Sequence, residues 1–190
     1  MRVADLIFDT LSKNNINQYF CVTGRGSLFL NDAIKRKKDI NCVFTHHEQS
    51  AAFAAISYYQ ANGKIPCCIV STGCASTNTI TGLLSAWQDG LPCIFISGQN
   101  YLNETTNYSN LNIRTFGQQE ANIIPIVRSI TKYAVMIQNP KNIQKEIKKA
   151  LFLAQQFPRG PVWIDIPLDI QNAHVNFKPA KFDIQSKRIK

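Results

Sequence analysis

No stretch of this sequence is apolar for the ~18–20 residues that a membrane-spanning helix needs, and no membrane partner is expected. Neither of the glycine-rich phosphate loops GxxxxGK[ST] and GxGxxG occurs. The six cysteines form no CxxC pair and stand at no Cys/His zinc spacing. Five of them (Cys21, Cys42, Cys67, Cys68, Cys93) sit in apolar runs and read as small, reduced, buried hydrophobes. Acidic residues are scarce: 12 Asp and Glu against 21 Lys and Arg leave a net charge of +9. The basic residues are spread over Lys35–Lys38, over Lys141, Lys145, Lys148 and Lys149, and over the tail 178–190. No nucleic-acid motif accompanies them, so they read as solvated faces and no nucleic-acid partner is expected. Residues 1–14 carry Asp5 and Asp9 within their apolar pattern, which a secretory signal does not tolerate. The cytoplasm is the expected compartment.

What is present is a core-forming composition, 45% hydrophobic over 190 residues, enough for one domain. Apolar residues at helical spacing predict a helix over Val3–Asn14. A short run, Gln18–Thr23, stops at Gly24-Arg25-Gly26, and Ser27 is placed to cap a helix over Leu28–Lys37. Ile40–Thr45 reads as a strand and the Ala-rich segment His47–Asn62 as a helix closed by Gly63. Pro66–Ser71 is a strand, Thr72–Asn78 a turn of small residues, Thr79–Gln88 a helix and Pro92–Ser97 a strand. Residues 98–122 are polar, aperiodic and long for a loop within one domain, which points to function or disorder. Ile123–Ile130 is short and apolar. Thr131–Ile137, Lys141–Gln156 and Pro161–Pro167 give strand, helix and strand. Strands that are continuously apolar rather than alternating, and that alternate with helices, belong to a parallel sheet covered on both faces. The expected fold is therefore α/β: a doubly wound, mostly parallel sheet of about six strands. The domain is expected to span 1–171, with 172–190 as a linker or tail.

In such sheets ligands bind beyond the carboxyl ends of the strands. Those ends are Gly24–Gly26, Thr45–Glu48, Thr72–Asn78 and Ser97–Gln99. Three are rich in small or amide residues, and the fourth carries His46, His47 and Glu48. Glu48 is either a favourable acid in a first helical turn or a carboxyl group presented to a ligand. His46 and His47 are candidate proton shuttles, but two adjacent histidines diverge and make a poor metal site. The turn 72–78 could cradle a ligand with its backbone. Cys74 near a helix start could be a nucleophile, although nothing else in the sequence supports that role. Gln99 and Gln119 are neutral hydrogen bonders in or beside the long loop.

Taken together and in order, Phe20–Gly26 with LFLNDA, HHEQSAAFAA at 46–55, STGCASTNTITGLLSAWQDGLPCIFISGQ at 71–99 and FPRGPVWIDIPLDIQ at 157–171 resemble the thiamine-diphosphate enzymes of the acetolactate synthase type. The likeness is to their N-terminal, pyrimidine-binding domain and covers about residues 1–171. Some wording, such as His-His-Glu-Gln, looks closest to members of sugar or capsule biosynthesis.

The resemblance implies roles. Glu48 matches the glutamate that hydrogen-bonds N1′ of the cofactor's aminopyrimidine. Thr23, Gly24 and Gly26 match a loop that approaches the pyrimidine, and Gly73 to Asn78 a second such turn. Gln119 matches a glutamine at the active-site mouth. Four positions depart from the pattern: Cys74 and Ala75 stand for Pro and Gly, Arg25 for a small residue, and Gln118 for an aromatic. Family members bind the diphosphate and Mg²⁺ through a separate domain that starts Gly-Asp-Gly, a tripeptide absent from these residues. The resemblance thus implies that this chain holds only the pyrimidine half of thiamine diphosphate, and no metal. It would form a homodimer or pair with a diphosphate-binding domain or subunit, as part of a decarboxylase/carboligase acting on a 2-keto acid. The alternative is a truncated, non-catalytic dimerisation module of the same fold.

Overall fold

The structure, a computed structural model, describes residues 1–183; the last part of the basic tail lies outside the described residues. Six strands form one sheet: β1 (Gln18–Cys21), β2 (Asn41–Phe44), β3 (Cys67–Val70), β4 (Ile94–Gln99), β5 (Tyr133–Met136) and β6 (Val162–Pro167). Their order is β2-β1-β3-β4-β6-β5, and every pairing is parallel. From β1 the chain moves outward to β2, then returns past β1 to β3. The two strands flanking this reversal, β1 and β3, are neighbours, with Tyr19 opposite Cys67 and Cys21 opposite Ile69.

The helices are α1 (Val3–Lys13), α2 (Leu28–Arg36), α3 (Glu48–Asn62), α4 (Cys74–Thr77), α5 (Ile80–Gln88), α6 (Thr106–Ser109), α7 (Ile123–Val127), α8 (Ile143–Gln155) and α9 (Leu168–Asn172). They cover both faces of the sheet. On one face α1, α2 and α8 bury an aliphatic cluster that includes Leu6, Leu30, Ile69, Ile96 and Ile147. On the other, α3, α5 and α7 pack on Phe95 and Trp163, whose rings stack with centroids 5.5 Å apart. The inner strands β1, β3, β4 and β6 are buried throughout, and strands buried on both faces need no polar side; β2 and β5, at the edges, are partly exposed. Gly63 ends α3 at φ +66°, in the left-handed conformation. No helix among the described residues is long and apolar enough to cross a membrane.

Three segments differ in detail from expectation. Ser27 directly precedes α2 but caps nothing with its side chain; its hydroxyl donates to the Gly24 carbonyl and accepts from Asn31. The long loop is not featureless: it holds a 3-10 turn at Leu102–Glu104 and the short α6, gathered around Glu120. Finally, the described part of the tail lies along the domain. Val3 N–H donates to the Ala173 carbonyl and Val175 N–H to that of Met1, while Asn14 bonds the backbone of Ala180 and Phe182. At the other edge β2 pairs only with β1 and leaves Phe44 55% exposed.

Candidate functional site

A cleft of about 310 Å³ opens at the carboxyl ends of β1 and β3, where the winding of the sheet reverses. That is the position at which open α/β sheets bind ligands. Two turns make its floor. The first follows β1: Thr23, Gly24, Arg25 and Gly26 line the cleft, and the Ser71 hydroxyl accepts from the Gly26 N–H at 3.0 Å. Gly98 lets β4 pass against this turn, since a Cβ there would stand 2.0 Å from the Gly26 carbonyl oxygen. The second turn follows β3 and is tied to itself by hydroxyls. Ser76 donates to the Ser71 carbonyl at 2.6 Å, and Thr79 to that of Ser76 at 2.7 Å.

Glu48 enters from a third direction. It is the first residue of α3, half-buried, and lines the cleft. His47 fixes where the helix starts: its Nδ1 accepts from the Gln49 N–H at 3.2 Å, an N-cap that satisfies one otherwise orphaned donor. His47 thus caps α3 and, like the exposed His46, does not line the cleft. Asn78, on the second turn, donates to Glu48 Oε2 at 2.9 Å. Among the described residues no protein group donates to Oε1. The carboxylate is thus aimed by one amide, and its other oxygen has no protein donor among the described residues.

The mouth of the cleft comes from the long loop, through Gln118 and Gln119. Gln119 is at φ +54°. Beneath it lies Gly73, at φ +66°, where a Cβ would stand 1.8 Å from the Gln119 carbonyl oxygen. Gly73 therefore does not line the cleft. It is the spacer that allows the loop to close over the second turn. Thr23, Gly24, Gly26, Glu48, Asn78 and Gln119 do line it.

Several residues that the sequence did not single out hold this arrangement. Ser71 joins the two turns. Asn100, fully buried, donates to the Gln118 carbonyl at 2.9 Å and accepts from Arg25 at 2.7 Å. Glu120, also buried, accepts from the Thr106 N–H and hydroxyl and from the Phe116 N–H, all at 2.8–2.9 Å. Behind the cleft a buried chain runs from Trp163 to Ser97, Asp165, Gln99 and Thr72, with contacts between 2.6 and 3.2 Å. Burial above all pushes the Asp165 carboxyl up to about 7, against the hydrogen bonds from Ser97 and Gln99. An acid inside the apolar run VWIDIP was the signal available for it. Cys74 is exposed on the cleft wall, whereas Cys68 and Cys93 are buried; burial pushes the Cys93 thiol up to about 12. Among the described residues no three His, Cys, Asp or Glu side chains converge as a metal site would require.

Residues 1–133 match the family model described as "Thiamine pyrophosphate enzyme, N-terminal TPP binding domain". The chain is 33% identical over 168 residues to the chloroplastic acetolactate synthase of Arabidopsis thaliana, covering 88% of this chain and 24% of that one. It is 33% identical over 175 residues to the acetolactate synthase large subunit of Haemophilus influenzae, covering 92% of this chain and 29% of the relative. The chain thus spans about a quarter of the length of these relatives. A candidate thiamin diphosphate-dependent enzyme isolated from Mycobacterium smegmatis and solved by X-ray crystallography shares the fold. Its TM-score is 0.79 at 21% identity, over 100% of this chain and 34% of that one. The chain therefore belongs to the thiamine pyrophosphate enzyme family and carries that family's N-terminal, acetolactate synthase-like TPP binding domain.

Proposed function

We propose that this chain supplies the pyrimidine side of a thiamine-diphosphate site in a decarboxylase/carboligase acting on 2-keto acids. The observation that carries the reading is Glu48: a carboxylate held by Asn78 through Oε2, with Oε1 free of protein donors, on the wall of a cleft at the switch point of the sheet.

The residues present suit an aminopyrimidine ring. About 310 Å³ lies at the lower end of the ~300–1,000 Å³ of small-molecule sites. The lining offers one carboxylate, hydroxyls, amides and close backbone, which pair with the edge of a neutral heteroaromatic ring. A diphosphate with Mg²⁺ would call for several oxygen ligands about the metal, and we assign those to a separate diphosphate-binding domain or subunit. When bound, thiamine diphosphate supplies the carbanion chemistry. Glu48 holds or yields a proton at a ring nitrogen, and a group in hydrogen-bond reach of that atom is what general acid–base catalysis requires. Asn78 fixes the direction of that carboxylate. The Gly24–Gly26 and 73–78 turns bring backbone against the ring, and Gln119 closes the mouth.

We further propose that the domain, over 1–171, acts in a dimer and that 172–190 is the segment leaving it. What supports the dimer is a band of apolar side chains on neighbouring helices: Phe53 of α3 and Leu84 and Trp87 of α5 are 38–40% exposed. The same band supports the second reading, a dimerisation module without catalysis.

Calorimetry separates the two. A pyrimidine-only site binds thiamine and thiamine diphosphate with the same affinity, and loses both in Glu48→Gln. Much tighter binding of the diphosphate form would overturn the half-site reading, and binding of neither would leave the module. The catalytic claim is tested by adding a diphosphate-domain partner, cofactor and Mg²⁺. Equal carboligase activity of Glu48→Gln and the unaltered chain would remove Glu48 from the reaction.

A further inference from the structure

Beside Glu48, the cleft holds one other charged lining residue among those described, Arg25, and the structure around it is built. Its Nη1 donates to Asn100 Oδ1 at 2.7 Å. Asn100 is 0% exposed and fixed on every side: its N–H donates to Gln99 Oε1, its Nδ2 to the Gln118 carbonyl, and its own carbonyl accepts from Leu168. Glu104 Oε2 forms a loose, exposed ion pair with Nη2 at 3.8 Å, outside hydrogen-bond range, which an incoming oxyanion would displace. The guanidinium is therefore oriented by a buried amide, about half exposed, and its Nε and Nη2 donors have no protein acceptor among the described residues.

A planar fork of donors held in one orientation is the side chain that pairs with carboxylate or phosphate. Because a buried amide holds it, little ordering is required on binding. We propose that Arg25 is a specificity-determining residue that binds an acidic group of the substrate, and that this is the group the reaction retains. The inference rests on the cofactor reading above. Its second half follows from charge. The carboxylate of a 2-keto acid leaves as neutral CO₂, its electron pair staying with the remaining fragment. An ion pair to that carboxylate would be strongest before the bond breaks and would hold the ground state down. An acid that survives, on the acceptor carbonyl compound or at the far end of the donor, keeps its charge throughout and can be gripped without that cost. The substrate class is thus an oxyanion-bearing carbonyl compound, and a neutral aldehyde is a poor one.

The test uses the full chain and unreactive probes: 4-hydroxybutyrate for a carboxylate remote from the reacting carbon, glycerol 3-phosphate for the phosphate and glycerol as the neutral control. Each is titrated while the amide NMR signals of Gly24 and Gly26 are followed. The expected result is saturable shifts with one or both acids and none with glycerol, the tighter acid naming the substrate's group. Arg25→Gln weakens that binding at least tenfold, and Arg25→Lys, which keeps the charge without the fork, weakens it less. Raising the salt concentration weakens the unaltered chain's binding and leaves Arg25→Gln unchanged. Equal acid binding in Arg25→Gln and the unaltered chain, or no acid binding at all, overturns the proposal. Thiamine is titrated in parallel. Arg25→Gln retaining thiamine while losing the acid isolates the role of Arg25. Glu48→Gln retaining thiamine overturns the cofactor reading whatever the acid does.

Discussion

Glu48 on the wall of the cleft and Glu120 in the loop above it are used in opposite ways. Glu120, in the loop, is buried and accepts three hydrogen bonds, two of them from backbone N–H groups that would otherwise be orphaned. Both its oxygens are committed, and it turns a polar, aperiodic segment into a folded one. Glu48 accepts one hydrogen bond from the described protein, remains partly exposed and borders open space. The same chemical group is structural where both oxygens face protein donors. It is available for chemistry where one oxygen faces none.

The largest effect that would break this contrast is on rate. In a reconstituted holoenzyme, Glu48→Gln is expected to lower kcat by ~10²–10⁴-fold and to shift folding stability by less than about 1 kcal/mol, since the new amide oxygen still accepts from Asn78. Glu120→Gln should do the reverse. It puts an NH₂ where one of the donors points, costing about 1–3 kcal/mol, with activity falling only as the loop loosens. Urea midpoints read beside kcat separate the two. A Glu48→Gln that unfolds, or a Glu120→Gln that is fully stable, would erase the distinction.

Next in size is Gly73→Ala. The added Cβ meets the Gln119 carbonyl at 1.8 Å, and the residue would be forced to hold φ +66°. A loss of roughly 2–4 kcal/mol follows, with faster amide exchange through 101–122 and not through β3. Uniform exchange across the sheet would show that Gly73 serves the core and not the loop.

Asp165 gives a smaller, pH-dependent effect. Its carboxyl sits at about 7 in the folded chain against 3.8 ordinarily; burial is the main cause and the Glu120 carboxylate adds in the same direction. The folded state thus keeps a proton that the unfolded chain has already released. The contribution favours folding at about pH 4 and is lost as the pH rises through about 7. Urea midpoints of the unaltered chain should carry this downward component over that window, and Asp165→Asn should flatten it. An unchanged slope in Asp165→Asn would assign the pH dependence elsewhere.

These contrasts also show how far the sequence could be read. The doubly wound sheet was legible in runs such as PCCIV and PCIFI, because two-sided burial writes itself as continuous apolarity. The placement of Glu48 was legible because strand ends converge. What the sequence hides is which polar residues face inward. Ser97, Asn100 and Glu120 look like ordinary loop or strand-end residues, and only the folded chain shows what satisfies them: Asp165 and Trp163 for Ser97, Arg25 and Gln118 for Asn100, Thr106 and Phe116 for Glu120. Ser27 looked like a cap by type and position, yet the turn before α2 gave its hydroxyl other partners. The sequence groups Gly73 with turn residues that line the cleft, and the left-handed turn places it one layer behind, under Gln119.

The finest comparison is between two cysteines, one beyond the carboxyl end of β3 and one within β2. Cys74 is exposed on the cleft wall; Cys42, on β2, is half-buried and lines a separate apolar groove with Leu28 and Phe44. The other four are buried, so a bulky thiol reagent should modify Cys74 first in the native chain. If the cleft takes the aminopyrimidine, thiamine at a concentration equal to its Kd should halve the Cys74 rate by occupancy alone and leave Cys42 untouched. Mass spectrometry of the two peptides at several thiamine concentrations reads both rates in one sample. Slowing at both thiols would point to a general tightening of the chain. Slowing at neither, with thiamine shown to bind, would move the ring out of this cleft and take the role of Glu48 with it.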